Sequence, residues 1–272
     1  VVVQVGFCSE AVGAATVATT LAVALAGSAT LSVAGCDGAC FAAPQVVVTA
    51  PDGTITRHER VSTERARLIA DDLTLAGAAT DSAAGFLAGQ RRVALDGCGE
   101  IECMSMDDYL AHGGYSGAAR ALEMSPEEVI AEVKASGLRG RGGAYFPAAL
   151  KWESVRRFDK GSRYVVVNCE EGEPGVFKDR HLMEGVPHRI VEGTIIAAYA
   201  SGASHAFIYV NAEAELSAER LGRAVDDAAK RNLLGDDVLG SGFDLAVDHP
   251  EQRGLAHAIA SDQRDPVARA DV

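Results

Sequence analysis

Two stretches of this chain concentrate side chains that can do chemistry, and a set of thiols forms a third. The first stretch runs from Gly137 to Trp152 and reads Gly-Leu-Arg-Gly-Arg-Gly-Gly-Ala-Tyr-Phe-Pro-Ala-Ala-Leu-Lys-Trp. Glycines at 137, 140, 142 and 143 let a ligand approach the backbone, because no Cβ stands in the way. Successive N–H groups in such a loop form a concavity for an anion. Arg139, Arg141 and Lys151 add charge and donors suited to phosphate. The chemistry on offer is the grip of a phosphorylated cofactor, although a solvated basic turn would use the same residues. Neither common phosphate motif is present. There is no Gly-x-x-x-x-Gly-Lys-Ser/Thr, and Tyr145 stands where Gly-x-Gly-x-x-Gly counted from Gly140 needs its third glycine.

The second stretch follows a valine-rich run, Arg163 to Val167, and reads Asn168-Cys169-Glu170-Glu171-Gly172-Glu173-Pro174-Gly175. Such a run predicts a strand, and ligands in open α/β sheets gather at the carboxyl ends of strands. Three carboxylates and an amide there can accept hydrogen bonds from ribityl or ribose hydroxyls, or from a carboxamide N–H. Glu170, Glu171 and Glu173 are also hard oxygen donors that suit a divalent metal. A plain acidic turn with its corner at Pro174-Gly175 is the other reading. Among the thiols, Cys8, Cys36 and Cys40 are candidate metal ligands, since thiolates are soft anionic donors. Cys98 and Cys103 have no neighbouring ligand at metal spacing and read as ordinary thiols.

The elements that must position these groups follow from the rest of the chain. Its 272 residues allow one large or two modest domains. A net charge of −13 argues against a nucleic-acid surface. Residues 134 to 163 nevertheless hold eight cations and two acids, a basic island that suits a small anionic ligand. Six cysteines in a chain of this length do not read as a disulfide framework, so a reducing compartment is expected. The apolar run Ala11 to Ala26 lacks a basic leader and is shorter than the roughly 20 residues a spanning helix needs, so a buried helix is expected there. The first residue is Val1, not Met, which suggests that the natural start lies upstream.

Residues 1 to 75 predict β-α-β-β-β-α. The strands are Val1–Val5, Thr30–Val33 and a hairpin of Gln45–Thr49 with Thr54–Arg57 about Pro51-Asp52-Gly53. The helices are Ser9–Ala26 and one capped by Ser62 that runs to about Leu73. That order suggests a thioredoxin-like unit. Residues 76 to 135 read as a linker and helical bridge, with a Gly77–Gly85 linker, a short strand at Arg91–Leu95 and helices opened by Ser105 and by Ser125-Pro126-Glu127-Glu128. Beyond the glycine-rich stretch, helices at His188–Tyr199 and Ser217–Arg231 alternate with strands at Ala206–Val210 and 243–248, which predicts a parallel sheet.

The two stretches resemble a known family. Gly137–Trp152 and Asn168–Arg180 are similar to Gly-Leu-Arg-Gly-Arg-Gly-Gly-Ala-Gly-Phe-Pro-Thr-Gly-Leu-Lys-Trp and Asn-x-Asp/Glu-Glu-x-Glu-Pro-Gly-x-Phe-Lys-Asp-Arg. These are motifs of the NADH-binding flavoprotein subunit of complex I and of its relatives in NAD-reducing hydrogenases and NAD-dependent formate dehydrogenases. The resemblance covers roughly residues 85 to 248. It implies an α/β chain in which a thioredoxin-like N-terminal domain precedes an incomplete Rossmann-like FMN/NADH-binding domain at 136–248. Gly140, Arg141, Gly142 and Lys151 would serve the FMN phosphate, and Asn168, Glu170 and Glu171 the rest of FMN. Gly143, Ala144 and Phe146 would line the NADH side, with Glu173 near the nicotinamide. The implied reaction is hydride transfer from NADH to FMN, with electrons passed to iron–sulfur clusters of a larger complex and no side-chain acid or base. The implied partners are the other subunits of such a complex, without direct membrane insertion. The implied location is cytoplasmic, with any membrane association made through those partners.

Residues 1 to 75 resemble the thioredoxin-like two-iron ferredoxin domain, through Gly6-Phe7-Cys8 and Cys36-x3-Cys40-Phe41-Ala42-Ala43-Pro44. That family uses Cys-x4-Cys and Cys-x3-Cys, and Gly13 stands at the position of the second thiolate. A domain that keeps the fold without a two-iron two-sulfur cluster is therefore expected, and zinc on Cys8, Cys36 and Cys40 is the other reading. Three further departures touch the flavin site. Tyr145 replaces a glycine, Ala148 and Ala149 replace Thr and Gly, and residues 249–272 form a divergent tail in place of the family's Gly-Ala-Gly-x-Tyr-x-Cys-Gly-Glu-Glu. Weak FMN binding, or none, is expected on that ground, with a subunit-docking or assembly module as the alternative function.

Overall fold

The structure is a computed structural model and describes residues 1–75, 77, 82–158, 161–234 and 242–248. The divergent tail at 249–272 lies outside the described residues. The chain is mixed α/β and divides into two compact units. One holds residues 1–112 and 177–187, the other 113–176 and 188–272. These units are cut by spatial contact, whereas the sequence boundaries at 75, 135 and 248 mark changes of sequence character. No helix among the described residues is long and apolar enough to cross a membrane.

In the first unit, β1 (Val2–Gln4) and β2 (Ser32–Ala34) pair in parallel. β3 (Gln45–Thr49) runs antiparallel to β1, and β4 (Ile55–His58) antiparallel to β3, so the sheet order is β2-β1-β3-β4. The expected β-α-β-β-β-α order is present, with one difference in the first helix. It is split into α1 (Phe7–Glu10) and α2 (Ala14–Leu25), because Gly13 at φ 94 takes the left-handed backbone that ends one and opens the other. α2 is buried along one stripe only. Ala14, Val17, Leu21 and Leu25 face the core at helical spacing, while Val23 is 76% exposed. Their partners are Val3, Val5, Val46, Val48, Val61, Ala66 and Ile69. Ala66 and Ile69 come from α3 (Thr63–Asp71), which Ser62 caps by accepting from the Arg65 N–H at 3.2 Å.

The loop between β2 and β3 carries Cys36 and Cys40 and is fixed by a buried polar network. Gln4 Nε2 donates to Asp37 Oδ2 at 2.9 Å, and Gln45 Nε2 donates to Asp37 Oδ1 at 3.1 Å and to Gln4 Oε1 at 3.0 Å. Ala39 N–H donates to Asp37 Oδ1 at 2.8 Å, and Arg57 Nη1 lies 3.7 Å from Oδ2. A buried carboxylate is tolerated only when paired in this way.

The bridge departs from expectation at two places. Residues 91–95 are turn and coil, not a strand, since the stretch finds no sheet partner; of the expected linker Gly77–Gly85, residues 78–81 lie outside the described residues and the last four begin α4 (Ser82–Ala88). The Glu59 carboxylate accepts from the Ala83 N–H at 2.6 Å and so supplies that helix with a cap. α5 (Met106–Ala111) opens on Ser105, as its sequence predicts.

The second unit begins with α6 (Ser116–Leu122) and α7 (Pro126–Ser136). α7 has the full capping box between Ser125 and Glu128 and stops at Gly137 with φ 70. α8 (Ala148–Arg156) packs on α7, with Val129, Ile130 and Ala149 in the shared core. β5 (Tyr164–Cys169) follows. Next come α9 (Lys178–Gly185), which belongs to the first unit, and α10 (Pro187–Ser201). β6 (His205–Asn211), α11 (Glu215–Lys230) and β7 (Gly242–Asp248) complete the elements among the described residues. The sheet is β5-β6-β7 and wholly parallel, as the alternation of strands and helices requires.

His188 is buried in this unit with its Nδ1 3.0 Å from the Tyr115 hydroxyl, and burial pulls its pKa down from 6.5 to about 4. As pH falls below 6.5 the unfolded chain takes up the proton first. Stability is therefore lost progressively between pH 6.5 and about 4. The loss expected from this residue is about 1–3 kcal/mol. Urea unfolding at successive pH values should show that part of the slope in the wild type and not in His188→Gln. In the first unit, Asp37→Ala strands the Gln4, Gln45 and Ala39 donors and should cost about 2–4 kcal/mol in denaturant unfolding.

Candidate functional site

The glycine-rich stretch folds as a closed loop between α7 and α8. Gly140 N–H donates to the Phe146 carbonyl at 2.8 Å, and Ala148 N–H donates to the Leu138 carbonyl at 3.0 Å. Arg139 and Pro147 face each other as an antiparallel bridge, and Arg139 Nη1 donates to the Tyr145 carbonyl at 3.2 Å. Residues 140–146 are all exposed at the tip. Among the described residues, the N–H groups of Arg141, Gly142, Gly143 and Ala144 find no intramolecular acceptor. No heavy atom lies within 4 Å of where a Cβ on Gly142 or Gly143 would stand, and Gly143 takes φ 96. The loop thus presents a run of free donors with open space before it, which is the form of an anion site.

The loop leads directly into the N-terminus of α8. Its N-cap is Pro147, which offers no side-chain acceptor, and with the Ala148 N–H spent on Leu138, the Ala149 and Leu150 N–H groups and the positive end of the helix dipole stay available to an anion. Lys151 lies on that first turn and is exposed. Phe146 is 51% and Tyr145 65% exposed, so both rings are free to lie against a ligand. Tyr145 holds φ 51, the left-handed region. The motif that this stretch resembles has glycine there, and the backbone supplies the reason: the position needs a conformation that costs a side-chain-bearing residue about 1–2 kcal/mol.

The acidic stretch sits at the carboxyl end of β5, as its sequence predicts. Asn168 is exposed, and its Oδ1 accepts from the Glu170 N–H at 3.0 Å, which turns the chain out of the strand. Glu170 Oε1 accepts from Asn211 Nδ2 at 2.9 Å at the end of the neighbouring strand. The Glu170 carboxylate also folds over Gly172. A Cβ there would stand 2.4 Å from Glu170 Oε1, so only glycine permits this placement. Glu171 is buried at 6% exposure and Glu173 is exposed. Asn211 is a partner of the candidate site that sequence reasoning missed. Its position at the end of the parallel neighbour of β5 was the signal.

The thiols meet in the other unit. Cys36 Sγ and Cys40 Sγ are 3.9 Å apart, and Cys8 lies beside Cys40. The structure adds His181 of α9, whose Nε2 is 4.0 Å from Cys40 Sγ. The ligand atoms of Cys36, Cys40 and His181 all lie within 4.8 Å of one another. The Cys40 thiol is pushed down in pKa, first by the hydrogen bond from Cys36 and next by His181. The Cys36 thiol is pushed up by the same bond and by burial, and the His181 imidazole is pushed up by Cys40. His181 was missed because it stands 141 residues from Cys40, beyond the reach of any spacing rule.

The Nuo51 FMN-binding domain family matches residues 133–253. The HndC component of the NADP-reducing hydrogenase of Solidesulfovibrio fructosivorans is 46% identical over 159 residues, which make up 58% of this chain and 32% of that protein. A NADH-quinone oxidoreductase subunit of Aquifex aeolicus is 48% identical over 143 residues, 53% of this chain and 33% of that protein. Among solved structures, a NAD+-reducing NiFe hydrogenase in its H2-reduced state aligns with 90% of this chain and 42% of its own, at 24% identity and a TM-score of 0.46. The chain spans about a third of the length of the curated relatives it matches. Both site motifs, at 137–152 and 168–180, fall inside the matched segment. Residues 133–253 thus match the Nuo51 FMN-binding domain family, and the chain is similar to subunits of a NADP-reducing hydrogenase and of NADH-quinone oxidoreductases.

Proposed function

We propose that this chain is the FMN- and NADH-binding part of a flavoprotein subunit that passes a hydride from NADH to FMN within a multi-subunit redox complex. One observation carries the reading: the free donor run of Arg141 to Ala144 leads straight into the uncapped N-terminus of α8. In this reading Gly140, Arg141, Gly142 and Lys151 hold the FMN phosphate, through backbone N–H groups, the helix dipole and the ammonium group. Asn168, Glu170 and Glu171 accept hydrogen bonds from the hydroxyls and ring N–H groups of the same ligand. Gly143 and Ala144 leave room for the dinucleotide, Phe146 stacks on a ring, and Glu173 orients the nicotinamide amide.

FMN, when bound, supplies a two-electron acceptor that releases its electrons singly. The residues of this chain provide orientation and electrostatics, and none of them acts as acid or base. The electrons leave to iron–sulfur clusters of partner subunits in a cytoplasmic complex, and any membrane association is made through those partners. The relatives' names support the partner class, since they are subunits of a hydrogenase and of a quinone oxidoreductase. The sheet order β2-β1-β3-β4, with its parallel pair beside a hairpin, supports reading residues 1–75 as a thioredoxin-like domain.

The phosphate grip separates FMN from riboflavin. Fluorescence titration of the chain should give FMN an affinity at least about tenfold above riboflavin, and Lys151→Ala should remove most of that margin. Equal affinity for the two flavins would contradict the reading. Absence of FMN binding would favour the docking-module alternative. A second measurement tests the loop backbone: Tyr145→Gly relieves the left-handed strain and should raise unfolding stability by about 0.5–1 kcal/mol, the remainder being lost to the freer unfolded chain.

A further inference from the structure

We propose that Cys8, Cys36, Cys40 and His181 form a Cys3His site for a single zinc ion in the first unit. This site is independent of the flavin site, which lies in the other unit. Its first support is distance. Zinc bonds of about 2.3 Å to sulfur and about 2.0–2.1 Å to nitrogen place tetrahedral corners about 3.6–3.8 Å apart. The Cys36–Cys40 sulfur separation is 3.9 Å and the Cys40–His181 separation is 4.0 Å, so two edges already stand close to that spacing, and all three atoms lie within 4.8 Å of one another. Cys8 on α1 lies beside Cys40, outside the set of three whose ligand atoms are all within 4.8 Å of one another, and would close in as the fourth ligand when the ion binds. Within this cluster His181 takes the place of the thiolate that Gly13 does not provide.

The second support is the set of groups behind the ligands. His181 Nδ1 lies 3.0 Å from the Phe177 carbonyl, which can only accept. The ring proton is therefore on Nδ1, and Nε2 presents its lone pair towards Cys40. A metal-binding histidine is characteristically pinned in this way through its other nitrogen. Gly38 N–H donates to Cys36 Sγ at 3.3 Å and holds that sulfur in place.

The third support is that both arms are rigid. Asp37, between the two cysteines, is locked by Gln4 and Gln45. α9 comes up against the cysteine loop where only glycine fits: a Cβ on Gly35 would stand 2.2 Å from Gly185 Cα. The Glu184 carboxylate accepts from the Phe7 N–H at 2.8 Å and ties α9 to the residue next to Cys8. The Arg180 guanidinium lies 4.5 Å from the Phe7 ring centroid and reinforces that tie.

A two-iron cluster divides its ligands between two metals, which would spread one pair from the other. Here Cys40 is as near to His181 as to Cys36, the spread of one ion's ligands. A mixed sulfur and nitrogen set of four is a closed structural zinc site, and it would clamp residues 178–185 onto the first sheet.

Metal analysis of the purified full chain should find about one zinc per chain and no acid-labile sulfide. His181→Ala should lower zinc affinity at least tenfold, whereas His181→Cys, which restores a fourth thiolate, should retain zinc. Circular dichroism of both variants separates ligand loss from misfolding. Cobalt substituted for zinc should show thiolate charge-transfer and tetrahedral ligand-field bands that weaken in Cys40→Ser. Iron with equimolar labile sulfide would overturn the proposal. Zinc affinity unchanged by His181→Ala would also overturn it, as would a metal-free protein with a Cys36–Cys40 disulfide.

Discussion

The parallel pairing of β5 with β6 is the constraint on which the candidate flavin site depends. It sets Asn168 opposite Tyr209 and Cys169 opposite Val210, so that Asn211 ends its strand beside the residue that follows β5. Asn211 can then hold the Glu170 carboxylate, and Gly172 leaves the space into which that carboxylate folds. A parallel sheet collects its carboxyl ends on one edge, and those ends are where irregular backbone and unpaired polar groups can be spent on a ligand. A slip of one residue in this register would turn Asn168 and Glu170 to the opposite face. The acidic stretch is therefore a product of sheet geometry as much as of its own composition.

The glycine-rich loop solves a different problem. It has to expose several backbone donors while its ends stay fixed. The Gly140–Phe146 and Ala148–Leu138 bonds close the neck, and the packing of α8 on α7 anchors both sides. The tip keeps its N–H groups free because Gly142 and Gly143 impose no side chains. Tyr145 is the one residue that strains against this design, as its positive φ shows. In the first unit, the buried Asp37 network plays the part of the neck. It fixes the loop that carries Cys36 and Cys40, and the Gly35–Gly185 approach brings α9 and His181 up to it.

Much of this was legible in the sequence wherever one short stretch held the whole cause. The Ser125/Glu128 capping box, the Pro51-Asp52-Gly53 hairpin and the valine-rich strands all declare themselves through adjacent residues. The two site motifs were legible for the same reason. What escaped was decided by partners distant in sequence. α9 reads as a charged stretch without an apolar stripe, and its buried residues are Met183, Glu184 and Gly185, with Glu184 buried as an acceptor for the Phe7 N–H. The expected strand at 91–95 failed because β-like composition needs a neighbouring strand to pair with. The helix at Ser82–Ala88 formed where small polar residues suggested a linker, because Glu59 caps it from outside the segment. Asn211 and His181 belong to the same class, since each meets its partner, Glu170 or Cys40, only through the fold.

If the second unit is a flavin site, the loop at 138–148 and the strand end at 168–175 must hold one ligand between them. Hydrogen–deuterium exchange of the chain with and without saturating FMN reads this at the groups concerned, because the donors at issue are backbone amides. Exchange is predicted to slow in both segments together, most strongly at Arg141 to Ala144, with the first sheet unchanged. Protection of only one segment, or of neither while FMN is bound, would contradict a shared site.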